Sequence, residues 1–186
     1  MMLDILAKML AWPAVTNWLI RRAHRTPYFH LTGDDGGVYM ERYWLFNPPN
    51  SDGSGRRWGE WVPSARLHCI MRGDQGEYLH DHPWNARTFI LQGWYQERRL
   101  EHNDSRHVIR IWTRVAGDTV RLKFGEYHHI DAVSPDGVWT LFITWRKRGT
   151  WGFLVNGAKR PWRIHLGIDN NKKIGSRSVP NTITHP

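Results

Sequence analysis

His80-Asp81-His82-Pro83-Trp84 is the stretch that organises this sequence, and His128 follows His82 at a distance of 46 positions. On an extended strand, side chains two residues apart share a face, so His80 and His82 present their imidazoles together and Asp81 points away. A third imidazole from another strand completes a three-nitrogen facial metal site with open positions. Neutral imidazoles suit Fe, Ni, Cu and Zn. Pro83 has no N–H and ends a pairing ladder, and Trp84 is placed to cap the site.

Outward from this stretch the chain reads as short strands separated by turns. Residues 65 to 72 alternate Arg66, His68, Ile70 and Arg72 against Leu67, Cys69 and Met71. Further strands are expected over residues 38 to 46, 78 to 82, 88 to 97, 107 to 115, 119 to 124, 128 to 133 and 138 to 145. Gly73 to Gly76, Gly117-Asp118, Gly125-Glu126 and Pro135-Asp136-Gly137 supply turns. Edge strands are expected over residues 151 to 155 and 162 to 166. This spacing points to an all-β sandwich or barrel.

The N-terminal residues 3 to 24 read instead as one or two helices. Leu3, Leu6, Leu10, Val15, Trp18 and Leu19 form an approximate helical stripe that Pro13 interrupts. The stripe is expected to pack on the barrel; the alternative is that Trp18, Arg21 and Arg22 lie on a membrane surface. The expected layout is an N-terminal helical extension over residues 1–30, a barrel over 31–166 and a polar tail over 167–186.

Composition narrows the function classes. The chain has 186 residues, 12 of them Trp, and a formal charge of +9 from 26 Lys and Arg against 17 Asp and Glu. A net positive field favours small anions or nucleic acid as partners, with base stacking on Trp as the route for the latter. One cysteine, Cys69, forbids an intramolecular disulfide framework and fits a reducing compartment, so the cytoplasm is the expected location. No apolar run approaches the roughly 20 residues of a spanning helix. Neither a P-loop, a GxGxxG fingerprint nor a GxSxG elbow is present.

The same residues resemble the cupin superfamily, whose members are jelly-roll β-barrels. His80, His82 and Gly93 stand at positions of its first motif. Gly117, Gly125 and His128 stand in register with its second, with Lys123 at the Pro position. The run from His80 to Glu97, the strand Trp139 to Thr144 and the element Trp151 to Phe153 look like a group of phage and bacterial cupins. The resemblance covers roughly residues 65–155 and departs from the pattern at one telling place: the motif Glu is absent, and its slot holds Ala86 or Arg87. A three-His site without a carboxylate is similar to the iron site of thiol dioxygenases.

The resemblance therefore implies a cupin jelly roll holding one divalent metal, Fe first and Zn, Ni or Mn as alternatives, through His80, His82 and His128. It further implies an oxygen-dependent dioxygenase acting on a small anionic substrate; oligomeric state stays open, with a homodimer through barrel edges, the N-terminal helix or the tail compatible with the resemblance. The alternatives are a non-catalytic binding protein for a ligand, nucleotide or host factor, and nucleic-acid binding by a basic, Trp-rich surface. Arg87, Arg66 and Arg72 are candidate anchors for the substrate anion, and Tyr95 and Trp84 candidate pocket walls. His68, His129 and Asp81 form a second tier; only one of His128 and His129 can face inward, and the spacing from Gly125 favours His128. No catalytic residue is assigned.

Overall fold

The structure, a computed structural model, describes residues 1–33, 35–52, 55–103 and 106–168. The expected polar tail from 169 onward lies outside the described residues. Two helices, α1 (Met2–Leu10) and α2 (Pro13–Ala23), precede the strands β1 (Leu31–Thr32), β2 (Val38–Phe46), β3 (Ser64–Ile70), β4 (Trp84–Gln92), β5 (Trp94–Asn103), β6 (Arg106–Val115), β7 (Thr119–Leu122), β8 (His128–Val133), β9 (Val138–Lys147), β10 (Gly152–Val155) and β11 (Ala158–Pro161), with a short α3 (Trp162–His165) after them. The fold is all-antiparallel β with small helices, as the sequence predicts.

The strands make a six-stranded sheet in the order β1-β2-β3-β9-β4-β7, a three-stranded sheet β6-β5-β8 and the hairpin β10-β11. The two larger sheets close on each other through Ile70, Ile90, Val120 and Val138 from one and Tyr95 and Ile130 from the other. The six-stranded sheet is buried on both faces. Its inner side chains line the barrel. Its outer ones, including Tyr43, Leu67, Phe89, Leu91 and Leu141, pack under Ala7 of α1 and Leu19 and Ala23 of α2. Pro13 sits at the first turn of α2, where its missing N–H costs nothing, so the interruption read from sequence separates two helices.

Three expectations change. Residues 88 to 97 are not one strand: the chain turns at Gly93, which has φ +79°, and β4 and β5 enter different sheets. A Cβ at Gly93 would also strike Ser134 Oγ and the Gly137 carbonyl oxygen, so both conformation and space require glycine here. Residues 78 to 82 form no regular strand but make isolated bridges from His80 to His128 and to Phe153. Residues 162 to 165 form a helical turn, and the partner of β10 is the preceding segment, after the tight turn at Asn156 and Gly157.

Candidate metal centre

The bridge at His80 builds the site. The His80 N–H donates to the His128 carbonyl at 2.8 Å and the His128 N–H to the His80 carbonyl at 2.9 Å. Residues paired in this way project their side chains to the same side, and His82, two residues on, joins them. Their ring centroids lie 4.7 Å (His80–His128), 5.1 Å (His82–His128) and 5.3 Å (His80–His82) apart. One nitrogen from each falls within 4.8 Å of the others. His80 and His82 are half-buried and His128 is buried.

The donor set fits a metal ion on two counts. His82 Nε2 and His128 Nε2 are 2.9 Å apart, and two nitrogens bound near 2.1 Å at a right angle to one ion stand about 3.0 Å apart. Burial, reinforced by neighbouring imidazoles and the Arg99 guanidinium, holds His82 and His128 well below the usual histidine range. They remain neutral and ready to ligate without first losing a proton.

Behind His128 stands a carboxylate. Glu97 on β5 is 1% exposed; its Oε2 lies 3.3 Å from His128 Nδ1, and its Oε1 accepts from Arg114 Nε at 3.0 Å. Arg99 Nε is 3.9 Å from Oε2. A carboxylate on Nδ1 fixes that proton and turns the Nε2 lone pair toward the other two rings. On the open side, Asp74 Oδ2 lies 3.7 Å from His80 Nδ1. Glu97 is the residue that sequence reasoning did not single out. Its parity with Tyr95 and Arg99 on one face of β5 was the available signal.

The strand pairings decide the arginines. Arg66 is buried and inward: its guanidinium lies over Trp44, Trp84 and Phe142 at 4.9, 4.8 and 5.7 Å, and Nη2 donates to Thr144 Oγ1 at 3.0 Å. Arg87 alternates with inward Ala86 and Thr88, so it faces the outside of the six-stranded sheet. There it donates to Thr119 Oγ1 and lines a surface cavity of about 320 Å³ with Asn85, Arg121 and Trp145. Arg72 holds Asp35 through two bonds of 2.7 Å on the surface. The slot of the missing Glu therefore presents Ala86 to the interior, and Arg87 and Arg72 lie away from the three histidines.

The remaining candidates separate cleanly. Trp84 is 6.4 Å from the His82 ring, and Phe142 is 5.8 Å from it. His68 is buried against Phe142 at 5.2 Å, and burial with the Arg66 and Arg42 charges keeps it well below its usual pKa. His129 faces away from the centre, with Nδ1 2.8 Å from Asp131 Oδ1 and Nε2 3.0 Å from the Gly76 carbonyl. Asp81 is fully buried and accepts from the Gly152 N–H at 2.8 Å and from Lys159 Nζ at 2.5 Å, pinning the β10-β11 hairpin beside the histidines. Tyr95 packs in the apolar end of the barrel, where burial raises its pKa.

No family model and no curated protein matches the sequence. In structure the chain is similar to a cupin 2 conserved barrel domain protein from Rhodopseudomonas palustris, with TM-score 0.45 and 20% identity over 70% of this chain and 77% of that one. It is also similar to DMSP lyase DddQ from Ruegeria pomeroyi (TM-score 0.49, 18% identity, 82% and 69% covered) and to oxalate decarboxylase from Bacillus subtilis (0.47, 15%, 70% and 30%). The chain thus spans under a third of the oxalate decarboxylase. These likenesses concern architecture, and the chemistry of the centre rests on its own side chains.

Proposed function

We propose that the protein is a metal-dependent cupin whose His80, His82 and His128 hold one divalent ion, Fe foremost, and that it carries out an oxygen-dependent reaction on a small anionic substrate. The observation that carries this reading is the company the three imidazoles keep. Arg66 Nε, Trp84 Nε1 and His68 Nε2 are all buried without a hydrogen-bond partner. Two of these atoms can only donate, and a buried donor left unmade costs about 1–3 kcal/mol. We assign an anion entering beside His82 as the partner of Arg66 Nε and Trp84 Nε1, whose groups stack at 4.8 Å, and the Arg66 charge has no carboxylate partner among the described residues to compete with it.

Each side chain then has a task. Glu97 holds the His128 tautomer, Arg66 and the Trp84 N–H bind and orient the anion, and Phe142 with Trp84 excludes water from one side. When bound, a divalent metal at three neutral nitrogens supplies a Lewis-acidic centre with open positions, and Fe adds redox chemistry toward O2. Oxygen-electrode measurements on the Fe(II)-loaded protein test the reading, using a panel of small carboxylates and carboxylate-bearing thiols. The account expects O2 consumption with at least one of them and its loss in Arg66→Met. Consumption by none of them removes the dioxygenase reading.

A second reading has its own support in the surface cavity lined by Arg87, Arg121 and Trp145, and in the exposed Trp61, over which the Arg146 guanidinium lies at 4.7 Å. Basic groups interleaved with exposed tryptophans suit single-stranded nucleic acid. Salt-sensitive retention of an oligonucleotide, lost in Arg121→Gln and Trp145→Ala, is the result it requires.

A further inference from the structure

Helix α1 buries one residue, Ala7, against the sheet, although nearly all of its side chains are apolar. At 100° per residue, Ile5 and Met9 lie opposite Ala7, and Met2 joins them at the i, i+3, i+7 spacing of a single stripe. Ile5 is 55% exposed, Met9 60% and Met2 80%. The stripe expected from sequence keeps to the sheet side, where Leu10, Val15 and Leu19 pack on the barrel, whereas Met2, Ile5 and Met9 form a second apolar stripe that points away from the protein. Trp12 continues it at the junction, 66% exposed.

Helix α2 repeats the arrangement in a basic form. Thr16, Leu19 and Ala23 face the sheet. The opposite side carries Trp18, exposed, with Arg21 and Arg22 at i+3 and i+4 from it. Because both helices pack on the same outer sheet face, both of these sides point outward. Within residues 1–33 the basic side chains are Lys8, Arg21, Arg22 and Arg25, while the sole acid is Asp4, which pairs with the N-terminal amine at 2.6 Å.

We propose that this outward face of α1 and α2 is a docking surface for an anionic lipid bilayer, on which the barrel lies peripherally. An apolar stripe, two exposed tryptophans and a basic rim are the three requirements of an interfacial helix. Charge argues against the obvious competitor. A two-fold dimer through this face would bring together two surfaces that are each basic, with Asp4 the one acid on either to offset Arg21 and Arg22, whereas a negative leaflet attracts them. No helix among the described residues is long and apolar enough to cross a membrane, so the association is with the surface.

Flotation of the full chain with vesicles tests this. Binding is expected to phosphatidylcholine vesicles containing phosphatidylglycerol, weaker binding to phosphatidylcholine alone, and release by high salt. The pair Arg21→Gln with Arg22→Gln weakens partitioning by roughly tenfold or more, and Met9→Glu abolishes it. These positions are exposed, so thermal unfolding serves as a control and stays unchanged. Failure to float with either vesicle overturns the proposal. So does binding that survives both substitutions. A dimer in analytical ultracentrifugation that Met9→Glu dissociates, in a chain that does not float, assigns the face to a second copy and equally overturns it.

Discussion

Replacing Glu97 by Gln separates two roles that one buried carboxylate performs at once. The side chain is 1% exposed, and Arg114 and Arg99, at 19% and 13%, face it from β6 and β5 itself. Gln keeps the shape and removes the charge, leaving Arg114 without its carboxylate, while Arg99 keeps Glu126 at 3.5 Å. Breaking a buried pair from one side costs about 3–5 kcal/mol. Folds of this size hold roughly 5–15 kcal/mol in total, so the variant folds with a Tm lowered by about 6–20 °C. The second effect is local: the charged acceptor 3.3 Å from His128 Nδ1 is replaced by a neutral amide, which offers either a weaker oxygen acceptor or a competing N–H donor. Losing such a partner behind a ligating histidine weakens metal affinity by roughly 10- to 100-fold. Metal titration by calorimetry, run beside denaturant unfolding, reads the two effects independently. Arg114→Gln supplies the contrast, since it breaks the ion pair and leaves the carboxylate on His128. The reasoning is refuted if Glu97→Gln and Arg114→Gln lose stability equally and bind metal equally well, because Glu97 would then serve only the arginines.

Two further outcomes follow from the barrel interior. Arg66→Met removes an inward cation that has no carboxylate partner among the described residues; metal content stays unchanged, while affinity for the anionic ligand falls roughly ten- to hundredfold, the loss of one charge-assisted hydrogen bond. Equal ligand affinity in the variant would sink Arg66 as the anchor. The pH dependence of the metal-free protein reports the histidines. His68, His82 and His128 are held below the ordinary range by burial and neighbouring positive charge, whereas the unfolded chain titrates near 6.5. Above that value both states are neutral. Below it the unfolded chain gains protons that the fold refuses, so stability drops as pH falls, by up to about 1.4 kcal/mol per pH unit for each histidine. Urea midpoints that stay level from about pH 7 to about pH 5.5 would contradict this burial.

The sequence made the histidine centre legible because its geometry is short-range. A His-x-His pair needs only an extended backbone, and the bridge between His80 and His128 supplies that without a regular strand. The strand at β3 and the break at Pro13 were visible for the same reason. What stayed hidden depended on which strands become neighbours. Arg66 and Leu67 are both buried, because helices cover one face of the six-stranded sheet and the barrel interior the other, so period-two alternation no longer tells inside from outside. Glu97 gained its meaning only when β5 paired with β8, setting Arg99 opposite His128. The run across Gly93 read as one strand because apolar residues continue on both sides of it, and only its positive φ reveals the turn.

The central claim is that three imidazoles hold one metal ion. Elemental analysis of tag-free protein after loading with Fe(II), Mn(II), Ni(II) or Zn(II) measures it directly, with His82→Ala and His128→Ala beside the exposed control His24→Ala. The account predicts one ion per chain in the parent and in His24→Ala, and loss of that ion in each of the other two variants. A parent that retains no metal, or a His82→Ala protein that retains a full equivalent, contradicts it.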